Sequence, residues 1–259
     1  MATEKSLTEA LKEKMKEPSV EVEEAPASKP DSENLTKGEE EKIEEASAKI
    51  SKKEIDTEKK AISSKEETLI PLEDYIKCAV HLGTKVITPH MKKYVYKRRA
   101  DGLAVINTII IDKQLRDSIA FLNKYDPKSI YLCCKREAGW QAARKFESVT
   151  GIKVFTKKYS PGITTNLELE DFFEAELTMI CDPWIDKNAL YDTIKLKKPI
   201  MSLCDTNNYT QGITKIIPCN NKSAKSIGCI LFILAREYNR SKGIDFNSKL
   251  EDFTGPLEN

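Results

Sequence analysis

The sequence predicts an α/β protein in which a parallel β-sheet is flanked by helices in three layers, the flavodoxin-like arrangement. From Asp112 onward, short apolar segments alternate with segments of helical periodicity. Strands separated by helical segments of roughly ten or more residues pair in parallel, because the chain must cross back to the same end of the sheet. The apolar segments are continuous rather than alternating, as in IYLCC at 130–134, which is typical of strands covered on both faces.

A short helix and a β-hairpin are predicted ahead of this alternating region. In PLEDYIKCAV, 71–80, apolar residues recur at helical spacing, Pro71 suits the first turn and Gly83 suits the C-terminal cap. The stretch KYVYKRRADGLAVIN, 93–107, predicts two short strands joined by a turn at Asp101 and Gly102. The predicted fold class therefore includes a small N-terminal helix and hairpin before the sheet.

The alternating region itself predicts five strands and four helices. The strands are SIYLCC (129–134), IKVFT (152–156), LTMICD (177–182), PIMSLCD (199–205) and TKIIPC (214–219). The helices are 112–125, 139–151, 186–197 and 222–243, of which the second and fourth end at Gly151 and Gly243. Residues 244–259 are expected to form a loose C-terminal tail.

The first 67 residues differ in composition from the rest of the chain. They contain 13 lysines against 19 acidic residues, a net charge of −6, whereas the remainder holds 29 basic and 22 acidic residues, a net of +7. They also contain no aromatic residue, so they cannot bury enough apolar surface to offset the entropy of ordering. We therefore divide the chain into a disordered charged extension, 1–67, an α/β domain, 68–243, and a tail, 244–259, and the extension could also recruit protein partners.

Several classes of protein are excluded by short-range patterns. The seven cysteines are odd in number, form no CxxC and lie mostly in apolar runs, so they are expected to be small buried hydrophobes rather than metal ligands or disulfides. The N-terminus has no apolar signal region, and the longest apolar run, CILFILA at 229–235, is too short to cross a bilayer. We expect a soluble intracellular protein with no metal, cofactor or membrane association.

The carboxyl ends of the predicted strands are the place to look for an active site, because parallel sheets commonly bind ligands there. Asp182 and Asp205 follow two strands, and such a pair could act as acid and base or hold a magnesium ion. The alternative is that both aspartates cap turns and helix starts, as short polar residues commonly do. No dinucleotide, phosphate-loop or nucleophile-elbow motif occurs, which favours the capping interpretation.

A run of basic residues extends from the loop after the first helix into the first strand of the hairpin. It comprises Lys85, Lys92, Lys93, Lys97, Arg98 and Arg99. Tyr94 and Tyr96 are interleaved with it, and such a mixture suits phosphates and stacked bases. In a strand, Lys93, Val95, Lys97 and Arg99 would share one face, and Tyr94, Tyr96 and Arg98 the other. A lysine-protected edge strand is the competing interpretation, although further basic residues spread over the domain favour a large polyanion as the ligand.

Eight stretches in order carry a resemblance to a known family. They are AVHLGT (79–84), MKKYVYKRRADGLAVIN (91–107), KFESVTG (145–151), SPGITTN (160–166), DPWID (182–186), PIMSLCDTNN (199–208), IPCNNK (217–222) and LAREY (234–238). From about Leu69 to Gly243 the chain resembles the universal small-subunit ribosomal protein S-two family in its archaeal and eukaryotic, laminin-receptor-like form. One departure is Trp184, where the family commonly has an arginine.

The resemblance implies a structural component of the small ribosomal subunit rather than an enzyme. It implies binding to small-subunit ribosomal RNA, contact with neighbouring ribosomal proteins and a cytoplasmic, ribosomal location. The run from Lys85 to Arg99 would then be part of the RNA-facing surface. Asp182, Asp205, Asn220 and Asn221 would order loops rather than perform chemistry.

Overall fold

The computed structural model describes residues 68–157, 159–170 and 172–256, so the predicted extension, 1–67, lies outside the described residues. The helices are α1 (Leu72–Lys77), α2 (Thr108–Leu122), α3 (Trp140–Thr150), α4 (Lys187–Lys195), α5 (Ala224–Lys242) and α6 (Leu250–Thr254). The strands are β1 (Val95–Arg98), β2 (Ala104–Ile106), β3 (Ile130–Cys134), β4 (Lys153–Thr156), β5 (Leu177–Ile180), β6 (Ile200–Cys204) and β7 (Lys215–Pro218).

Five strands form the predicted parallel sheet, in the order β4-β3-β5-β6-β7. This is the flavodoxin-like strand order, in which the direction of winding reverses between β3 and β5. Strands β3 and β6 are buried at every position, as the continuous apolar runs predict. The α/β fold class is therefore confirmed.

The two faces of the sheet are covered differently. Alternate residues of β3 point to opposite sides, so that Ile130 and Leu132 join the core formed with α2, α3 and α5. Tyr131 and Cys133 join a second cluster with the 159–175 segment and Ala189 of α4. All seven cysteines are buried, as expected, and burial raises the pKa of several thiols, including those of Cys133 and Cys219.

The N-terminal helix and hairpin also form as predicted, with one error at the helix end. Helix α1 begins after Pro71, and β1 pairs with β2 in antiparallel orientation around Gly102. Gly83 does not cap α1, which ends six residues earlier at Lys77. Gly83 instead lies against Thr206, where an added Cβ would come within 2.5 Å of the threonine Cγ2. Its small size is thus needed for a contact with a residue far along the chain.

The prediction of a loose tail is wrong for residues 250–254. These residues form α6, whose Phe253 is buried and contacts Phe232 of α5 edge to face. Gly228 makes this packing possible, because a Cβ there would come within 2.5 Å of the Phe253 carbonyl oxygen. The apolar contact outweighs the polar composition of the segment. Within the described part of the chain, no helix is both long and apolar enough to cross a membrane.

Candidate nucleic-acid interface

The carboxyl end of β5 is ordered by Asp182, which is buried. Its Oδ1 accepts hydrogen bonds from the Trp184 amide at 2.9 Å and from Asn208 Nδ2 at 3.3 Å. Its Oδ2 forms a short ion pair with Arg136, at the end of β3. Both carboxylate oxygens are therefore occupied by groups of the protein itself, and they link the loops that follow three neighbouring strands.

Asp205 has the equivalent role at the end of β6. Its Oδ1 accepts from the Thr206 amide at 2.6 Å, and its Oδ2 lies 3.5 Å from Lys222 Nζ. Burial raises the pKa of Asp205, although the Thr206 amide and Lys222 oppose this shift. Asn208 Oδ1 accepts from the Asp205 amide at 2.7 Å and from Asn221 Nδ2 at 3.0 Å. We call Asp182, Asp205, Asn208 and Asn221 the strand-end network.

The capping interpretation is confirmed for turns, which Asp182 and Asp205 order, but neither residue caps a helix, because α4 begins after Asp186 and α5 after Ser223. Asn220 also orders a turn, since its Oδ1 accepts a hydrogen bond from the Lys222 amide at 3.1 Å and its Nδ2 donates to the Ala79 carbonyl at 3.3 Å. An acid–base pair needs carboxylates that reach a ligand, whereas Asp182 and Asp205 bind turns and cations of their own chain. The alternative of an enzyme that uses these two carboxylates is not supported.

The segment before the hairpin lies over the loop that follows β6. The Thr84 amide donates to the Thr206 hydroxyl at 2.9 Å, and the hydroxyls of the two threonines are also 2.9 Å apart. The Thr88 amide donates to the Thr206 carbonyl at 2.9 Å, and its hydroxyl donates to the Asn208 carbonyl at 2.8 Å. His90 Nδ1 is 3.0 Å from the Thr210 hydroxyl. Residues 85–99, which we call the basic segment, are thus anchored to the carboxyl end of the sheet.

The basic segment exposes most of its positive side chains. Five of the six predicted residues are exposed, and Lys97 is half-buried. In β1 the side chains of Tyr96 and Arg98 point outward while Val95 and Lys97 point inward, so the predicted alternation holds from 95 to 98. It fails before Val95, because Lys92–Tyr94 form a 3₁₀ turn and Tyr94 is buried. Tyr94 and Tyr96 therefore do not share a face.

Lys93 and Arg99 make contacts that leave their charges accessible. Lys93 Nζ lies 4.9 Å from the centre of the Tyr94 ring, and Lys97 Nζ lies 5.8 Å from that of Tyr96. Arg99 is 3.8 Å from Asp101, and both side chains are about half exposed. Exposed pairs of this kind contribute little free energy, so an incoming phosphate could replace the carboxylate.

Three residues at this end of the sheet have a burial or exposure that sequence analysis did not predict. Asp186 is buried, with Oδ1 3.3 Å from the Lys135 amide and no hydrogen-bond partner for Oδ2. Burial, aided by the charge of Asp182, raises the pKa of Asp186 to about 6. Trp184 and Tyr209 are large aromatic residues that are nevertheless exposed. The DPWID motif marks the first two positions, but no local pattern indicates the exposure of Tyr209.

Comparison with known proteins places the chain among ribosomal proteins. The profile of a family described as ribosomal protein S2 matches residues 174–241, from the loop before β5 to the last turn of α5. The basic segment lies outside that match. Longer similarities are found to individual members, each named small ribosomal subunit protein uS2.

Three such relatives come from archaea. The protein of Nanoarchaeum equitans is 41% identical over 178 residues, which is 69% of this chain and 89% of the relative. That of Staphylothermus marinus is 39% identical over 178 residues, 69% of this chain and 81% of the relative. That of Ignicoccus hospitalis is 36% identical over 192 residues, 74% of this chain and 91% of the relative.

Proposed function

The chain belongs to the ribosomal protein S2 family, and on that premise we propose that it binds small-subunit ribosomal RNA through the basic segment. As a member of this family it is a structural constituent of the small ribosomal subunit that supports translation, and it is not an enzyme. Association with ribosomal RNA and with other ribosomal proteins follows from this membership. The proposed location is the cytoplasm, on the ribosome.

One observation carries the assignment of the RNA-binding surface. Five exposed cations lie on a segment that is hydrogen-bonded to the loop after β6 through Thr88 and His90, and through Thr84 just before it. Anchoring reduces the entropy that binding would otherwise cost, and lysine and arginine side chains supply the phosphate contacts that dominate RNA affinity. The strand-end network supports this role indirectly, because it holds the loop on which the segment rests.

The test replaces exposed cations of the basic segment and leaves its anchors intact. Lys92, Lys93 and Arg98 are changed together to alanine, since Lys97 is half-buried and Arg99 pairs with Asp101. The matched control changes Lys124, Lys128 and Lys195, which are exposed near the opposite, amino-terminal end of the sheet. Each variant competes with the wild-type protein for incorporation into small subunits, and the ratio is measured in gradient-purified particles.

We expect the first triple variant to be depleted from particles and the control to be incorporated nearly as well as wild type. Thermal unfolding of both should match the wild type, because substitutions at exposed positions rarely change stability by more than about 0.5 kcal/mol. Equal incorporation of the two variants would contradict the assignment of the basic segment, although not membership in the family.

We also propose that residues 1–67 are a separate acidic extension of the domain. Its net charge of −6 opposes the +7 of the remainder, so it would weaken non-specific RNA binding before assembly. A chain comprising residues 68–259 should bind unrelated RNA more tightly than the full-length protein at low salt. Weaker binding by the shorter chain would contradict this role and favour a direct contribution of the extension to RNA or protein contacts.

A further inference from the structure

Two exposed aromatic side chains lie on adjacent loops at the carboxyl end of the sheet. Trp184 follows β5 and is 55% exposed, and Tyr209 follows β6 and is 65% exposed. Their loops are tied to the same atom, because Asp182 Oδ1 accepts from both the Trp184 amide and the Asn208 side chain. The two loops that carry these aromatic residues are therefore linked through one buried carboxylate.

A cation lies beside one ring of this aromatic pair, and a residue of the basic segment contacts the other. Lys187 Nζ lies 5.9 Å from the centre of the Trp184 ring. The His90 ring meets the Tyr209 ring edge to face, with centres 5.9 Å apart. Because His90 belongs to the basic segment, Tyr209 adjoins the proposed RNA-binding surface.

We infer that Trp184 and Tyr209 form a stacking platform for unpaired bases of ribosomal RNA. This inference rests on the proposed function and adds a second kind of contact to it. Phosphate contacts by the basic segment are independent of base pairing, whereas an aromatic ring stacks on a base only where the RNA is single-stranded, in a loop, bulge or end. The platform would therefore select unpaired RNA.

RNA explains this surface better than a protein partner. A purely apolar partner that covered Trp184 would also have to desolvate the adjacent ammonium group of Lys187. A nucleotide suits both the ring and the ammonium group, because its base can stack on the ring while its phosphate contacts the cation. The loops that carry the two rings are ordered before binding, since hydrogen bonds of the backbone and of Asn208 hold them.

The experiment uses the tryptophan itself as the reporter. The full-length protein is titrated with an oligouridylate of about 12 nucleotides, with an abasic strand of the same length and charge, and with a duplex RNA of the same length. Trp184→Leu removes the ring and Trp184→Phe keeps one, while Tyr209→Ala tests the second position. The chain has two tryptophans, and Trp140 remains in every variant, so the part of the fluorescence change that Trp184→Leu removes belongs to Trp184.

We expect the oligouridylate to quench the fluorescence and the abasic and duplex strands to leave it nearly unchanged. Trp184→Leu and Tyr209→Ala should each weaken oligouridylate binding about tenfold, and Trp184→Phe should retain most of the affinity. These losses should persist at raised salt, where the contribution of phosphate contacts declines. Thermal unfolding should be unchanged, because both side chains are exposed.

Two results would overturn the inference. Equal affinities of the wild type and Trp184→Leu for the oligouridylate would exclude stacking at this position. Loss of incorporation into small subunits by Trp184→Leu, with unchanged oligouridylate binding, would show that a protein neighbour covers the platform. The triple change of Lys92, Lys93 and Arg98 separates this inference from the proposed function, because it removes phosphate contacts and leaves both rings in place.

Discussion

The strand-end network and the basic segment occupy the same end of the sheet but use their polar groups in opposite ways. In the strand-end network, carboxylates and amides are buried and bind one another. In the basic segment, most charges are exposed. An α/β sheet commonly binds small ligands at this end, yet here the polar groups that could form such a site hold the loops together. The groups left for an external partner are the cations and rings outside the network.

The strongest test of this contrast is removal of Asp182. Asp182→Ala should lower the free energy of unfolding by about 3–5 kcal/mol, because it leaves the partly buried guanidinium of Arg136 without its carboxylate and two donors without their acceptor. Asp101→Ala, in the exposed hairpin turn, is the control and should cost less than about 0.5 kcal/mol. Chemical denaturation measures both. A small loss at Asp182 would mean that the network is not what orders this end of the sheet.

Asp186 differs from the other buried carboxylates. Its replacement should change the free energy of unfolding by less than that of Asp182, and in the opposite direction. Its pKa is raised from 3.8 to about 6, so the folded protein binds this proton more tightly than the unfolded chain does. The contribution of Asp186 to stability therefore declines as pH rises from about 4 to about 6, and above that range the ionised group destabilises the fold by roughly 2–3 kcal/mol.

Asp186→Asn should consequently stabilise the protein at pH 7.5, and the gain should vanish near pH 4. The amide retains an oxygen for the Lys135 amide and removes the charge. Denaturation at the two pH values measures the difference, with Asp101→Asn as an exposed control. A gain that is the same at both pH values would show that packing, not ionisation, is responsible.

The anchor of the basic segment can be tested at Gly83. Gly83→Ala should cost between about 1 and 3 kcal/mol, because the new methyl group meets Thr206 Cγ2 at 2.5 Å. Thr206→Ser removes that methyl group and keeps the hydroxyl that contacts Thr84. The double variant should therefore recover part of the loss, and a double-mutant cycle with strictly additive costs would contradict the close contact.

These cases show which features the sequence could predict. The strands, the hairpin and the helix ends at Gly151 and Gly243 depend on periodicity and turn residues, which are local. The role of Gly83 depends on Thr206, and the burial of Phe253 depends on Gly228, so both require the three-dimensional arrangement. The capping role of Asp182 was predictable from its position after a strand, whereas the shared use of its Oδ1 by two loops was not.

The predicted basic residues illustrate the same limit. Their clustering predicts a surface for a polyanion, and their exposure agrees with that interpretation. The assumption of a continuous strand, however, missed the 3₁₀ turn at Lys92–Tyr94. In that turn Tyr94 is buried, so the alternation of exposed and inward side chains begins only at Val95. The exposure of Tyr209 could not be predicted from the sequence either, since Asn208 and the rest of the strand-end network position its loop.

The most direct test of the central claim is the salt dependence of binding to small-subunit ribosomal RNA. Each phosphate contact adds roughly 0.7–0.9 to the slope of log affinity against log salt. The magnitude of the slope should therefore fall by about 2–3 when Lys92, Lys93 and Arg98 are changed to alanine, and it should stay unchanged for the control at Lys124, Lys128 and Lys195. Equal slopes for the wild type and the first variant would contradict the claim that the basic segment binds the RNA.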